Sequence, residues 1–284
     1  MTDVLFVTAS SLPRPDVETI RLLKLIEEKG KKGDIKSWEN QSVDWSACKL
    51  CIIRSPWDYF TKIDAFTTWL EHIKGQTMIW NPVDIISWNI NKKYLLELSQ
   101  KGISVVPTLF VEKGDNRKLE KLLSNDFTET FIIKPAVSAS AFQTKKFSRV
   151  DPIANKHLSE LVTMRDVLLQ PFIPEILEVG ENSLIFFFGQ FSHAIKKSPK
   201  TGDFRIQSEF GGTITKHIPS EEEMELAKAT LKALPTAVAY ARVDIVTTKN
   251  GPLLMELELI EPQLFLDFVP EGREKFAQII VDHL

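Results

Sequence analysis

Apolar positions fall in short runs with two periods. Val4 to Thr8 is a continuous apolar run that predicts a buried strand, and Val17, Ile20, Leu23 and Ile26 then recur at helical spacing until Gly30. Short strands are expected at Ile35 to Trp38, Leu50 to Ile53 and Thr77 to Trp80, with a helix at Lys62 to Lys74. Asn81 and Pro82 stop the last strand. Alternating strands and helices predict a small α/β domain with a largely parallel sheet.

Asn91 to Lys101 reads as a helix closed by Gly102. Beyond Pro107 come a helix around Lys118 to Leu123, strands at Thr130 to Lys134 and Gln143 to Phe147, a helix at Ile153 to Met164 and a strand at Val167 to Gln170. Ser183 to Phe188 and Phe191 to Lys197 flank Gly189 and Gln190 as a hairpin. Helix Glu221 to Leu234 begins with an acidic turn suited to the positive helix end. Strands Val238 to Thr247 and Leu253 to Leu259 are joined at Asn250 and Gly251, and a last helix runs through Phe276. The expected class is α/β and α+β: an N-terminal α/β domain over 1–90, a central α+β subdomain over 91–182, and a C-terminal antiparallel-sheet subdomain over 183–284. Clefts between such regions are the natural place for a site.

Composition narrows the partners. A length of 284 residues with 43% hydrophobic content supports a sizeable core. The net charge of −3 and scattered Lys and Arg exclude the basic stripe of a nucleic-acid binder, so a small-molecule substrate is expected. No apolar run approaches the roughly 20 residues that span a bilayer. The opening MTDVLFVTAS lacks the features of a signal peptide, which places the protein in the cytoplasm with no membrane partner. A homo-oligomer is compatible with all of this. Cys48 and Cys51 have C-x-x-C spacing, but Cys51 enters an apolar strand and further ligands are lacking nearby, so both read as buried structural thiols.

The densest chemistry lies in Ala241 to Pro262. Asp244 is in one strand and Glu256 and Glu258 in the next, where strand alternation puts the two glutamates on one face. If the turn lies at Asn250 and Gly251, Asp244 and Glu256 are nearly equidistant from it. Three carboxylates could converge there on a hard cation such as Mg²⁺. A solvated strand face, with the glutamates in water, is an equal reading of these residues. Lys92 opens a helix and Lys134 ends the strand FIIKP, where each could set a compact charge on phosphates. Arg54 follows LCII and should emerge at the carboxyl end of its strand, where open α/β sheets bind ligands; it is expected to anchor a substrate carboxylate. Neither G-x-G-x-x-G after the first strand nor a Walker A loop is present.

RVDIV followed by MELELIEP resembles the closing signature of ATP-grasp ligases of the glutathione-synthetase, RimK and D-cycloserine-ligase types. NKKYLLELSQKG, FIIKP, AVSASAFQT, QPFI, DFRIQSEFGG and RSPWDY follow the same family order along nearly the whole chain. Two departures stand out: Glu258 replaces the Asn usual in glutathione synthetases, and Ala141 stands where relatives often have glycine. The resemblance implies an ATP-grasp fold behind an N-terminal pre-ATP-grasp domain, and a ligase that activates a carboxylate with ATP for attack by an amine.

It also implies roles for individual residues. Lys92 and Lys134 would contact ATP, with Ser138 and Ser140 in a flap over the phosphates. Gln170, Phe172 and Ile173 would form the adenine hinge, and Glu181 would accept the ribose hydroxyls. Arg205, Gly211 and Gly212 would hold the terminal phosphate, with Arg205 and Lys134 catalytic. Trp57, Tyr59 and His193 would join Arg54 on the substrate, and Asp244, Glu256 and Glu258 would bind Mg²⁺, or Mn²⁺ in its place. Two rivals are kept: a nucleotide-binding regulatory protein without turnover, and a phosphotransferase.

Overall fold

The structure is a computed structural model and describes residues 1–12, 14–123, 127–200 and 211–284. Its N-terminal part is a parallel sheet built from β1 (Thr2–Thr8), β2 (Gly33–Ser37), β3 (Cys48–Ser55) and β4 (Met78–Trp80) in the order β2-β1-β3-β4. Helices α1 (Val17–Glu28) and α2 (Ile63–Ile73) make the crossovers. Asp16 fixes the start of α1 by accepting from the Thr19 amide at 2.9 Å. Cys48 and Cys51 are buried, unpaired thiols on β3.

Two short helices follow, α3 (Val83–Ile90) and α4 (Tyr94–Gln100), where the sequence predicts only the second. Pro82 caps α3, and the Pro that reads as a stop for β4 is also a good helix start. The central sheet contains β5 (Leu109–Val111), β6 (Thr130–Pro135), β7 (Lys145–Ser148) and β8 (Val167–Pro171), in the antiparallel order β5-β8-β6-β7. Helices α5 (Leu119–Leu122) and α6 (Ala154–Val162) cover it, and their apolar faces close a core around Phe131, Ile133 and Leu169. Helix α7 (Glu175–Val179) leads into the last sheet.

That sheet is antiparallel, in the order β11-β10-β9-β12-β13, from β9 (Glu181–Phe187), β10 (Gln190–Ser198), β11 (Thr213–His217), β12 (Tyr240–Thr248) and β13 (Gly251–Glu258). Every residue of β9 is buried, because both faces of the sheet are covered. On one face Leu184, Phe186 and Val243 meet Leu95 and Leu98 of α4 and Leu226 of α8 (Glu221–Lys232). On the other, Ile185 and Phe187 pack with Phe6 of β1, Leu22 of α1 and Phe276 of α9 (Pro270–Asp282). The N-terminal sheet is thus fused to the back of the C-terminal one, and the central sheet overhangs its front.

Candidate active site

A cleft runs between the central sheet and β9, β12 and β13, and the loop after β3 also lines it. Its apolar lining comes from Ile132 of β6, Phe172 and Ile173 after β8, Ile176 of α7, and Met255 and Leu257 of β13. Gln170 also lines it, but its side chain is held by Thr108 at 2.8 Å.

The cleft also carries charge. Lys134, next to last in β6, lines the wall, and burial lowers the pKa of its ammonium. Lys92, at the entrance to α4, is buried; its ammonium donates to the Ser138 carbonyl at 2.6 Å and pairs with Glu256 at 3.1 Å. Of the two adjacent lysines only Lys92 lines the cleft, and Lys93 lies over the Phe110 ring at 5.0 Å. Ser138 and Ser140 approach from the segment between β6 and β7. Ser140 and Ala141 there have φ of 49° and 54°.

The carboxylates sit on one ladder. Asp244 lies opposite Glu256, and Arg242 opposite Glu258. Between Asp244 and Ile245 the register slips past Met255, a bulge beyond which regular alternation sets Glu256 and Glu258 on one face and Leu257 in the core. Arg242 holds Asp244 through Nε and Nη2 at 3.0 and 2.9 Å and also contacts Glu258. Lys197 of β10 bridges Glu181 at 2.5 Å and Asp244 at 3.5 Å. Burial alone would raise every one of these acids. At Asp244 the charges of Arg242 and Lys197 outweigh it and bring the carboxyl down to about 2. At Glu256 Lys92 and Lys134 likewise win and lower it. At Glu258 burial prevails and pushes the group up to about 7, and at Glu261 up to about 8.

Among the described residues no three His, Cys, Asp or Glu side chains converge closely enough to enclose a metal ion. The hard oxygen donors Glu256 and Glu258 nonetheless share one wall of the cleft with Asp244 behind them. Such a pair suits Mg²⁺, which is commonly held by one or two carboxylates together with substrate phosphates.

Most residues singled out from sequence therefore meet in this cleft: Trp57, Tyr59, the lysines, the flap serines, the hinge, Glu181 and the carboxylates. Two expected substrate contacts are corrected. Arg54 is 1% exposed, pairs with Glu18 at 2.6 Å and donates to the Pro262 carbonyl at 3.0 Å, so its charge is spent inside the protein. His193 of β10 is buried and donates through Nε2 to the Leu264 carbonyl at 2.8 Å, with Gly272 of α9 packed against its ring. Gly211 and Gly212 precede β11 without lining the cleft, which Ile214 reaches instead. Arg205 lies outside the described residues.

Sequence reasoning assigned no role to Arg242, Lys197, Glu261 or Gln263, all of which line the cleft. Arg242 shares the strand face of Asp244, a signal readable from alternation. Lys197 stands beside Lys196, and only the register of β10 against Glu181 separates them.

Three sheets around a cleft lined by lysines and strand carboxylates fit the ATP-grasp ligase class. The chain belongs to the RimK-like ATP-grasp family, whose domain matches residues 94–264, and residues 4–81 match the N-terminal domain of D-cycloserine synthetase DcsG. It is 29% identical to the cycloserine biosynthesis protein DcsG of Streptomyces lavendulae over 99% of this chain and 98% of that protein. A probable alpha-L-glutamate ligase of Xanthomonas axonopodis pv. citri is 28% identical over 62% of this chain and 59% of its own length. The crystal structure of D-cycloserine synthetase DcsG superposes with a TM-score of 0.87 at 28% identity, covering 98% of both chains. The fold is shared with D-alanine–D-alanine ligase from Bacillus anthracis, at a TM-score of 0.67, 13% identity, and coverage of 99% of this chain and 97% of that one. The protein is an enzyme of the ATP-dependent carboxylate–amine ligase class. Among the described residues no helix is long and apolar enough to cross a membrane.

Proposed function

We propose that the enzyme phosphorylates the carboxylate of a small amino-acid-like or peptide substrate with ATP and joins the acyl phosphate to an amine, releasing ADP and phosphate. The observation that carries this reading is the lining of one cleft, which brings together apolar side chains such as Ile132, Phe172 and Ile173, the ammonium groups of Lys134 and Lys92, and the carboxylates of Glu256 and Glu258.

The apolar surface of Ile132, Phe172, Ile173 and Leu257 suits the adenine ring, and Glu181, which lines the same cleft beside Lys197, suits the ribose hydroxyls. Lys134, Lys92 and Arg242 surround the place where the phosphates would lie, and their charges would steady the γ-phosphoryl group as it moves. Glu256 and Glu258 would hold Mg²⁺, or Mn²⁺, with phosphate oxygens, and Asp244 would support them through Arg242. The ion would supply neutralising charge on the phosphates. The flap carrying Ser138 and Ser140 covers this region, where water would hydrolyse an acyl phosphate. Such chemistry draws on the ATP pool of the cytoplasm, where we place the enzyme.

The test is ADP release from Mg-ATP in the presence of pooled amino acids and small carboxylates, comparing the parent with Glu256→Gln. Stimulation by a pool in the parent and its loss, by about 100-fold or more, in the variant supports the ligase reading. Mg-ATP binding without stimulation by any pool would count against it.

A further inference from the structure

The charged groups of the cleft are paired with two exceptions. Lys92 is matched by Glu256, Lys197 by Glu181 and Asp244, and Arg242 by Asp244 and Glu258. Among the described residues, Lys134 has no ion-pair or hydrogen-bond partner, and the Glu261 carboxyl has none beyond its own backbone amide. Lys134 is accounted for by a phosphate. Glu261 is not accounted for by anything in the nucleotide, since a carboxylate repels phosphates and offers adenine no specific match.

Glu261 is also held in place with unusual completeness. Successive carbonyls from Leu259 to Leu264 each accept a hydrogen bond from a different side chain: Asn81 at 2.8 Å, Tyr240 at 3.0 Å, Trp57 at 3.3 Å, Arg54 at 3.0 Å, Arg242 at 3.2 Å and His193 at 2.8 Å. Glu18 accepts from the amides of Leu264 and Leu266 at 3.1 and 2.6 Å. The donors come from the N-terminal part and from β10 and β12. Such a strap restrains its backbone, and with it the direction in which each Cα–Cβ bond leaves the chain. Glu261 is 9% exposed and lines the cleft together with Gln263 and Phe265 of the strap and Trp57 and Tyr59 of the loop after β3.

Among the described residues Glu261 has no ion-pair partner within reach, and burial together with the nearby Glu258 and Glu256 keeps its carboxyl largely protonated against the opposing pull of Lys92, so a cationic ligand settling beside it would restore its charge and gain an ion pair. The ligand must be a cation that tolerates aromatic neighbours, and a primary ammonium meets both conditions. We propose that Glu261 binds the protonated amine of an amino-acid-like substrate in a subsite walled by Trp57, Tyr59 and Phe265. The inference rests on the ligase reading and names what its substrate must carry. Arg54 and His193, which reach no substrate, act here as positioning residues for the strap.

The test uses the full chain with Mg-ATP and two matched sets of probes: individual amino acids, and the 2-hydroxy acids that lack only the amine. ADP release in the parent should respond to an amino acid and not to its hydroxy acid. Glu261→Gln should raise the KM for that amino acid about 10- to 100-fold, the usual range for losing a charge-assisted hydrogen bond. The KM for ATP should stay within about twofold, and Glu261→Asp should fall between. An unchanged amino-acid KM in Glu261→Gln, or a parent that accepts the hydroxy acid equally, overturns the inference and leaves the ligase reading standing. If neither set stimulates ADP release while calorimetry shows Mg-ATP bound, both fall together.

Discussion

His193 illustrates how a single buried polar side chain shapes the response of the whole protein to pH. Burial lowers its pKa from the ordinary value of 6.5, although its bond to the Leu264 carbonyl opposes that shift. In the unfolded chain the imidazole takes up a proton below about pH 6.5, whereas in the folded chain it stays neutral to lower pH. The unfolded state therefore binds more protons as pH falls, and stability drops below that value. His193→Gln should flatten the fall in unfolding free energy between pH 7 and 5, measured by urea titration at each pH; His157, lowered in the same direction by burial, keeps part of the slope. An unaltered slope would show that His193 is not the group responsible. Both His193 and Arg54 were visible in the sequence as polar residues on apolar strands, which marks them as special. Which way they point was not visible, because it depends on Glu18 of α1 and on the strap after β13, both remote in sequence.

At the scale of elements, the hairpin of β12 and β13 was readable from Asn250-Gly251 and from alternation, and with it the pairing of Asp244 with Glu256. The bulge at Met255 was not, since a one-residue slip leaves no mark in composition, yet it shifts which residues of β13 face β12 beyond Asp244. Strand β11 lacks a strong apolar pattern and escaped notice for that reason. The flap was recognised by the resemblance of AVSASAFQT to the family, but its backbone shape had to come from the structure. Ala141 there has φ of 54°, a left-handed conformation that costs a residue with a Cβ about 1–2 kcal/mol. Glycine removes that strain but loosens the unfolded chain by about 0.5–1 kcal/mol. Ala141→Gly should therefore leave stability unchanged or raise it by up to about 1.5 kcal/mol, against the usual cost of such a change. A loss above about 1 kcal/mol in the unfolding free energy from urea titration would show that the flap does not hold this conformation.

For the molecule as a whole, three regions in order were legible because each carries its own periodicity and its own turns. Their mutual packing was not: the fusion of the N-terminal sheet to the back of the C-terminal one runs through ordinary apolar residues such as Phe6, Ile185 and Phe276, which name no partner. The cleft takes side chains from the loop after β3, from the central sheet and from the C-terminal sheet, so a nucleotide bound in it touches parts that would otherwise separate. A ligand that binds only the folded form at about 100 times its Kd adds about 2.7 kcal/mol of stability. For a chain of this length each kcal/mol moves the Tm by about 2–4 °C, so saturating Mg-ATP should raise it by about 5–10 °C in scanning calorimetry. Chelation with EDTA should remove most of that rise, because Glu256 and Glu258 would then face the phosphates without the ion. Glu256→Gln should reduce the rise even with Mg²⁺ in excess, whereas Glu261→Gln, whose partner is the amine, should leave it intact. A rise insensitive to both EDTA and Glu256→Gln would place the nucleotide somewhere other than between the lysines and the β13 carboxylates.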